Sequence, residues 1–281
     1  MVFRCALIGA GIQRSRSPAL HEGEARAQGL DLRYRLIDLD ELGVGVEALP
    51  QLLGEAVREG CCGLNVTFPC KQAIVPLLHA VSEEARAIGA VNTVVIAGGK
   101  LTGHNTDGSG WAWGLQRALP GADLSRVVLL GAGGAGSACA EAVLRLGADG
   151  LVIVDRDPDR ATQLASRLRE FFPERKCNAE QDIRRAMEGA SGLIHATPTG
   201  MAKMPGMPLP EALLRPGLWV SEVVYVPLET ELLRNAKHAG CRIMDGGHMT
   251  VGQAIGAFRL FTGREAAADR MEKHFRSMEQ K

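Results

Sequence analysis

The sequence Val127-Val-Leu-Leu-Gly-Ala-Gly-Gly-Ala-Gly136 decides the fold class. Its four aliphatic residues are typical of a short buried strand, and an Ala-rich helical stretch follows the glycines. In the pattern G-x-G-x-x-G, Gly131 permits a tight turn, Gly133 lets the backbone approach a diphosphate, and Gly136 lets the helix pack on the strand. This context predicts a dinucleotide-binding unit. The candidate cofactor-binding residues of this loop are Gly131, Ala132, Gly133, Gly134, Ala135 and Gly136.

An acidic residue follows the next predicted strand. Leu151 to Val154 form that strand, and Asp155 stands 19 residues after Gly136, where the ribose-binding carboxylate of a dinucleotide fold belongs. A carboxylate there can accept hydrogen bonds from a ribose 2′-hydroxyl, and it repels a 2′-phosphate. Arg156, a further candidate cofactor contact, and Arg160 favour a phosphate instead. The strand-end position of Asp155 predicts NAD rather than NADP.

A second glycine pair, Gly9-Ala10-Gly11, follows a predicted strand at Val2 to Ile8. Its third motif position is Arg14 rather than glycine. The next helix is delayed to Ser17-Pro18, where we expect Ser17 to be the N-cap and Pro18 to occupy the first helical position. We therefore predict that this segment is a turn and not a second nucleotide site.

Composition limits the possible functions. Lysine plus arginine equals aspartate plus glutamate, at 32 each, so no basic footprint points to nucleic acid or to an anionic membrane. Seven cysteines without a C-x-x-C pair are typical of reduced thiols in a cytosolic protein, and the scattered histidines predict no metal site. We find no signal peptide and no apolar stretch of about 20 residues, which a membrane helix requires. We expect a cytoplasmic protein, and its oligomeric state, including a homodimer, is left open.

Polar clusters outside the cofactor unit carry a second signal. Taken singly, each has an ordinary explanation: Ser17 can cap a helix, and Lys71 can be a solvated surface residue. Taken together, they form an ordered series of motifs: Ser15–Pro18, Asn65–Lys71, Gly89–Thr93, Asn105–Gly110, Ala196–Met201, Tyr225, Gln253–Phe258 and Thr262-Gly263. In this order they resemble the shikimate and quinate dehydrogenase family over nearly the whole chain.

The resemblance implies roles for individual residues. Lys71 and Asp107 would be the catalytic pair that moves the proton of the reacting hydroxyl, while the cofactor carries the hydride. Ser15 and Ser17 would bind a substrate carboxylate with Tyr225 nearby, and Thr197 would lie at the cofactor. The residues expected at the ring hydroxyls are Thr67, Asn92, Asp107 and Gln253. The substrate would be a carboxylated polyol ring.

The same resemblance implies the domain organisation. Alternating strand-like and helical runs indicate an α/β fold with two domains. Residues 1–108 would form an N-terminal α/β substrate domain, completed by C-terminal helices at 249–281 that return with Gln253. Residues 109–248 would form a doubly wound Rossmann domain.

Departures from the family pattern bear on substrate and cofactor. Glu22 stands where many members have asparagine, and Asp155-Arg156-Asp157 replaces the Asn-Arg-Thr of NADP-dependent members. These features are closer to the NAD-using quinate/shikimate branch. We expect interconversion of shikimate or quinate with their 3-dehydro ketones, and an amino analogue of shikimate stays open. The alternatives are a biosynthetic NADP-dependent shikimate dehydrogenase and, in another class, a non-catalytic ligand sensor.

Overall fold

The computed structural model describes residues 2–278; Met1 and residues 279–281, the last of which were included in the expected C-terminal helices, lie outside the described part. The chain forms two compact units. The first unit contains the residues up to Thr106 and those from Val251 onward, and the second unit runs from Asp107 to Thr250. The two-domain α/β fold predicted from the sequence is confirmed.

The described residues form twelve strands and twelve α-helices. The strands are β1 (Val2–Gly9), β2 (Asp31–Asp38), β3 (Gly63–Val66), β4 (Ala80–Val81), β5 (Thr93–Ala97), β6 (Lys100–His104), β7 (Val127–Leu130), β8 (Gly150–Val154), β9 (Lys176–Ala179), β10 (Gly192–His195), β11 (Trp219–Glu222) and β12 (Arg242–Met244). The helices are α1 (Ser17–Ala27), α2 (Leu39–Leu42), α3 (Leu49–Arg58), α4 (Cys70–Ala73), α5 (Glu83–Ile88), α6 (Thr106–Ala118), α7 (Gly134–Arg145), α8 (Pro158–Phe171), α9 (Ile183–Met187), α10 (Glu231–His238), α11 (Gly246–Thr262) and α12 (Ala268–Met278). None of these helices combines the length and the apolar character needed to cross a membrane.

The first unit is built on a mixed sheet in the order β2-β1-β3-β5-β6-β4. Strands β2, β1 and β3 are parallel to one another, whereas β5 is antiparallel to both β3 and β6. Alternate residues of β1 enter opposite cores. Ala6 and Ile8 pack with the residues of α3, and Leu7 packs with Phe258 and Phe261 of α11. The sheet is therefore covered by helices on both faces.

The second unit has a fully parallel sheet in the order β12-β11-β10-β7-β8-β9. All four residues of β7 are buried, as expected for a parallel strand with helices on both faces. Val127 and Leu129 face a core with Trp111, while Val128 and Leu130 face the core on the other side. This order is that of a doubly wound sheet, and its direction reverses between β7 and β10.

The start of α1 differs from the prediction. Ser17 was expected to be the N-cap, but the N-cap is Arg16, and Ser17 is the first helical residue. The physical reason is local: the Ser15 hydroxyl accepts a hydrogen bond from the Ser17 amide at 3.2 Å, so Ser15 satisfies an amide that a cap would otherwise bind. Pro18 still lies in the first turn, where a missing amide hydrogen has no cost.

The Gly9-Ala10-Gly11 segment forms a turn, as predicted. The amides of Gly11 and Ile12 each donate a hydrogen bond to the Asp38 carboxylate at 2.9 Å, and Gln13 Nε2 donates at 3.1 Å. Asp38 is the last residue of β2, the strand beside β1. A carboxylate of the protein thus receives the amides that a nucleotide-binding loop would present to a phosphate.

A histidine is fully buried in the core of the first unit. His21 of α1 is fully buried, stacked 5.0 Å from the ring of Tyr34 and 6.2 Å from that of Phe258. Neither ring nitrogen has a hydrogen-bond partner among the described residues. Burial lowers the pKa of His21 to about 3. The imidazole is therefore neutral in the folded protein at neutral pH.

We expect His21→Phe to reduce the acid lability of the protein. Above the unfolded pKa of about 6.5 the histidine is neutral in both states, and below it only the unfolded chain takes up the proton. The free energy of unfolding should then fall by roughly 1.4 kcal/mol per pH unit towards the folded pKa. Urea unfolding followed by circular dichroism at pH 6.5 and 5.0 should show this loss in the wild type and in the control His238→Asn. Equal slopes in His21→Phe and wild type would contradict the assignment.

Candidate active site and cofactor loop

The glycine-rich loop follows β7 in the second unit. Gly131 has a φ of +100°, and a Cβ at this position would lie 2.8 Å from the carbonyl oxygen of Ala196. A Cβ on Gly136 would lie 1.8 Å from the Gly131 carbonyl oxygen, so no larger residue fits where α7 crosses the strand end. A Cβ on Gly133 would meet nothing within 4 Å. Steric clashes thus require glycine at Gly131 and Gly136, whereas Gly133 borders open space.

The N-terminus of α7 faces that open space. Its N-cap is Gly133, which has no side chain to accept a hydrogen bond from the first amides, and Gly134 and Ala135 form the first turn. A helix start of this kind presents amide donors and the positive end of the helix dipole. The chemistry and the room both fit a diphosphate.

The Asp155 carboxylate is hydrogen-bonded to the backbone of the glycine loop. One oxygen accepts a hydrogen bond from the Ala132 amide at 2.6 Å, and the other accepts from the Asp157 amide at 2.9 Å. A carboxylate can accept about four hydrogen bonds, so acceptor capacity remains for hydroxyl groups. Asp155 therefore fixes the glycine loop and can bind a diol at the same time.

Two arginines that could attract a phosphate follow Asp155. Arg156 is exposed at the strand end. Arg160 lies one turn into α8, where its Nε is 3.3 Å from an Asp157 carboxylate oxygen. Since Asp157 also caps α8, the charge of Arg160 is partly neutralised by its own helix start. The side chains that follow β8 therefore carry charges of both signs, and the Asp155 carboxylate is the one that is hydrogen-bonded to the glycine loop.

In the first unit, the predicted substrate residues meet at one edge of the sheet. Strands β1 and β3 are parallel, with Ile8 paired to Val66, so the segments that follow both strands leave the same edge. Ser15 and Ser17 come after β1, and Thr67 comes directly after β3. A Cβ on Gly9 would lie 2.3 Å from the Thr67 methyl group, which shows how closely the two segments pack.

Lys71 belongs to the same edge. It lies in the short helix α4, after the cis peptide between Phe68 and Pro69. Its carbonyl oxygen accepts a hydrogen bond from the Val91 amide at 2.9 Å, which holds α4 next to the segment that leads to Asn92. The Lys71 side chain is half-buried.

Asn92 is held in a buried hydrogen-bond network. Its side-chain oxygen accepts from the Thr106 amide at 2.8 Å, and its amide nitrogen donates to the Thr106 hydroxyl at 3.0 Å. The Thr93 hydroxyl also donates to the Asn92 oxygen, at 2.8 Å. Asn92 therefore fixes Thr106, the residue directly before Asp107.

Sequence reasoning assigned no role to Tyr34 or Asn65, although Asn65 opens one of the family motifs. The Tyr34 hydroxyl is buried and donates to Asn65 Oδ1 at 2.7 Å, and the Asn65 amide donates to the Thr93 hydroxyl at 3.1 Å. Burial raises the pKa of Tyr34 well above its usual value, and a hydrogen bond with Ser17 opposes this rise. These two residues connect Ser17 with the Asn92 network. Their spacing in sequence carries no signal of the contact.

The remaining predicted residues are placed on their own elements. Asp107 lies in the first turn of α6 and is 6% exposed. Gln253 lies on α11 and is half-buried, and Thr197 follows β10 with its methyl group 3.0 Å from a Cβ built on Gly131. Tyr225 follows β11, with 36% of its surface exposed. Asp107, Thr197 and Tyr225 belong to the second unit, and Gln253 belongs to the first.

Comparisons with known proteins agree with these motifs. Residues 7–94 match the family model of the shikimate dehydrogenase substrate binding domain, and residues 94–215 match that of the alanine dehydrogenase/PNT C-terminal domain. A shikimate dehydrogenase (NADP(+)) of Streptomyces avermitilis is 55% identical over 96% of this chain and 93% of its own length. A quinate/shikimate dehydrogenase (NAD(+)) of Corynebacterium efficiens is 44% identical over 97% of both chains.

A solved structure also matches over its full length. The quinate dehydrogenase from Corynebacterium glutamicum in complex with NAD has a TM-score of 0.92 and 43% identity, over 98% of this chain and 99% of the other. The identities and the coverage show common descent over both units. The chain belongs to the shikimate/quinate dehydrogenase family of oxidoreductases, which act on CH–OH groups.

Proposed function

We propose that this protein is an NAD-dependent dehydrogenase that interconverts quinate or shikimate with the corresponding 3-dehydro ketone. The observation that carries the choice of NAD is the Asp155 carboxylate, which is hydrogen-bonded to Ala132 at the loop and retains acceptor capacity. A ribose 2′-hydroxyl can donate to it, whereas a 2′-phosphate would bring about −2 charges close to its negative charge. The 44% identical relative named for NAD is in keeping with this choice.

Hydroxyl, amide and carboxylate side chains supply the substrate chemistry in this proposal. Ser15 and Ser17 offer hydroxyl donors to a ring carboxylate, with Tyr225 of the second unit as a further phenol donor. The ring hydroxyls would be bound mainly by neutral side chains that both donate and accept hydrogen bonds, with one carboxylate as a further acceptor. The residues proposed for this role are Thr67, Asn92, Asp107 and Gln253.

Proton transfer falls to Lys71 and Asp107. Oxidation of a secondary alcohol removes the hydroxyl proton as hydride leaves the carbon, and reduction of the ketone needs a proton at the oxygen. The bound dinucleotide supplies the hydride chemistry. A lysine and a carboxylate at the reacting oxygen can pass one proton in either direction.

One relative favours a second candidate. The 55% identical relative is named for NADP, and Arg156 is exposed at the position where an arginine could face a 2′-phosphate. On that basis the protein would be a biosynthetic NADP-dependent shikimate dehydrogenase.

Initial rates with quinate and with shikimate, each measured against NAD and NADP, separate the candidates. We expect turnover with NAD and at least one of the two ring acids, and a kcat/KM for NADP lower by about 100-fold, given a charge repulsion of a few kcal/mol. Turnover confined to NADP and shikimate would instead establish the second candidate. Dinucleotide binding without turnover of either ring acid would contradict both.

A further inference from the structure

A buried histidine–glutamate pair interrupts the aliphatic sheet of the second unit. His195 ends β10 and is the register partner of Glu222, which ends β11. Both side chains are fully buried, and His195 Nδ1 lies 2.8 Å from one Glu222 oxygen and 3.0 Å from the other. Burying such groups is costly unless their hydrogen bonds are satisfied, so the pair calls for a compensating role.

The hydrogen-bond donors around Glu222 determine which ring nitrogen of His195 carries the hydrogen that faces it. The amides of Val223 and Val224 donate to one carboxylate oxygen at 2.9 and 3.0 Å, and the Thr230 hydroxyl donates to the other at 2.9 Å. With three donors already directed at it, the carboxylate acts as an acceptor. His195 Nδ1 therefore carries the hydrogen that points at Glu222, and the orientation of the ring is fixed.

The other ring nitrogen of His195, Nε2, is hydrogen-bonded to the segment that follows β10. His195 Nε2 lies 2.5 Å from the Thr197 hydroxyl oxygen, which also accepts a hydrogen bond from the Thr199 amide at 3.3 Å. The same segment abuts the glycine loop, since a Cβ on Gly131 would lie 2.8 Å from the Ala196 carbonyl oxygen and 3.0 Å from the Thr197 methyl. The ring thus holds the segment 196–200 against the first motif glycine.

The sheet order indicates what this segment faces. Strand order reverses between β7 and β10, and in such sheets a ligand lies in the crevice between the segments that follow those two strands. Asp155 follows β8, on one side of β7, and marks the adenosine end of a dinucleotide. The nicotinamide half of a bound dinucleotide would then extend over β10, the side on which Thr197 lies.

We infer that His195, supported by Glu222, is a positioning residue that sets Thr197 for the nicotinamide half of the dinucleotide. The inference rests on the proposed use of a nicotinamide dinucleotide, and it assigns a task to two residues that stand 27 positions apart in the chain. His195 is fully buried and offers no surface to a ligand. Its effect on binding must pass through the Thr197 hydroxyl.

Two replacements of His195 separate its two hydrogen bonds. His195→Asn keeps a donor at the position of Nδ1 for Glu222 but does not reach Thr197, whereas the longer His195→Gln reaches the position of Nε2. We expect the Kd for NAD to rise about tenfold in His195→Asn, as for a lost hydrogen bond, and to stay within about threefold in His195→Gln. His238→Asn, at an exposed helix end, is the control. Equal Kd values for the Asn and Gln variants would overturn the inference.

A double-mutant cycle tests whether the effect passes through Thr197. Thr197→Val should also raise the Kd for NAD about tenfold, and Thr197→Ser should retain the wild-type value. The double variant His195→Asn/Thr197→Val should bind no more weakly than Thr197→Val alone, because both changes remove one interaction. A double variant about 100-fold weaker than wild type, or a Thr197→Val variant with unchanged Kd, would refute the inference.

Binding is measured directly, by titration calorimetry with NAD and with NADP, so the result does not depend on the ring substrate. The Thr197 variants lie on a half-buried segment and carry the test even if His195→Asn does not fold. Wild-type binding with no change in any variant would refute the inference while leaving the proposed function intact. The expected pattern without turnover of quinate or shikimate would support the inference and refute the proposed function.

Discussion

We expect the Lys71→Ala variant to lose about 10²- to 10⁴-fold in kcat, the usual contribution of a positioned proton donor or acceptor. Lys71 lies at the sheet edge that gathers Ser15, Ser17 and Thr67, and its backbone is fixed by the Val91 amide. Within α4, Lys71 is the residue to which we assign proton transfer. Binding of NAD should be unchanged, because the glycine loop belongs to the second unit.

Two further variants sharpen this expectation. Lys71→Arg keeps the positive charge, but a guanidinium does not release its proton near neutral pH, so kcat should remain low. Lys100→Ala, at the exposed start of β6, is a matched lysine control that should retain wild-type rates. Initial rates at saturating quinate or shikimate give kcat, and calorimetry gives the affinity for NAD. Near wild-type kcat in Lys71→Ala would show that Lys71 is not the proton carrier.

The parts of the fold that follow from local pattern could be predicted from the sequence. The aliphatic run Val127–Leu130, the three spaced glycines and the strand-end Asp155 define a doubly wound cofactor unit, and the structure has it. The hairpin of β5 and β6 is another local feature, since Gly98 and Gly99 both adopt positive φ between the two strands. Each of these features depends on residues close together in the chain.

Features that depend on distant residues could not be predicted. The N-cap of α1 is Arg16 rather than the predicted Ser17, because the Ser15 hydroxyl accepts a hydrogen bond from the Ser17 amide. Helix propensity does not predict this competition between neighbouring residues. The sequence gives no sign of the role of His195, because its partner Glu222 lies on the neighbouring strand, 27 residues away in the chain. The closure of the first glycine turn by Asp38 has a usable signal: an acidic residue ends the neighbouring strand.

The motifs nominate candidate site residues, but they do not predict the hydrogen bonds among them. The family resemblance implies that Asn92 binds a ring hydroxyl, which stays a prediction, and the structure adds that its side-chain amide is hydrogen-bonded to Thr106 and Thr93. A residue whose amide fixes the start of α6 influences Asp107 whether or not it also contacts the substrate. Motif matching assigns one role per residue, whereas packing gives Asn92 a second.

The second large effect we expect is a change of cofactor preference in Asp155→Asn. In the wild type, a 2′-phosphate near the Asp155 carboxylate would meet a repulsion of about 1–4 kcal/mol per unit charge at 4 Å. The asparagine removes that charge and retains a side-chain oxygen that can accept a hydrogen bond from the Ala132 amide. The ratio of kcat/KM for NAD to that for NADP should therefore fall by about tenfold or more.

The comparison variant is Asp159→Asn, which removes an equal charge in the first turn of α8 and not at the strand end. If Asp155 acts by its charge at the ribose, Asp159→Asn should change the ratio by less than about threefold, since an exposed charge farther away is screened by water and salt. The 55% identical relative named for NADP makes this measurement decisive. A wild type that prefers NADP would show that Asp155 stabilises the glycine loop by its hydrogen bond to Ala132 and does not select the cofactor. In that case Arg156, beside it at the strand end, accommodates the 2′-phosphate.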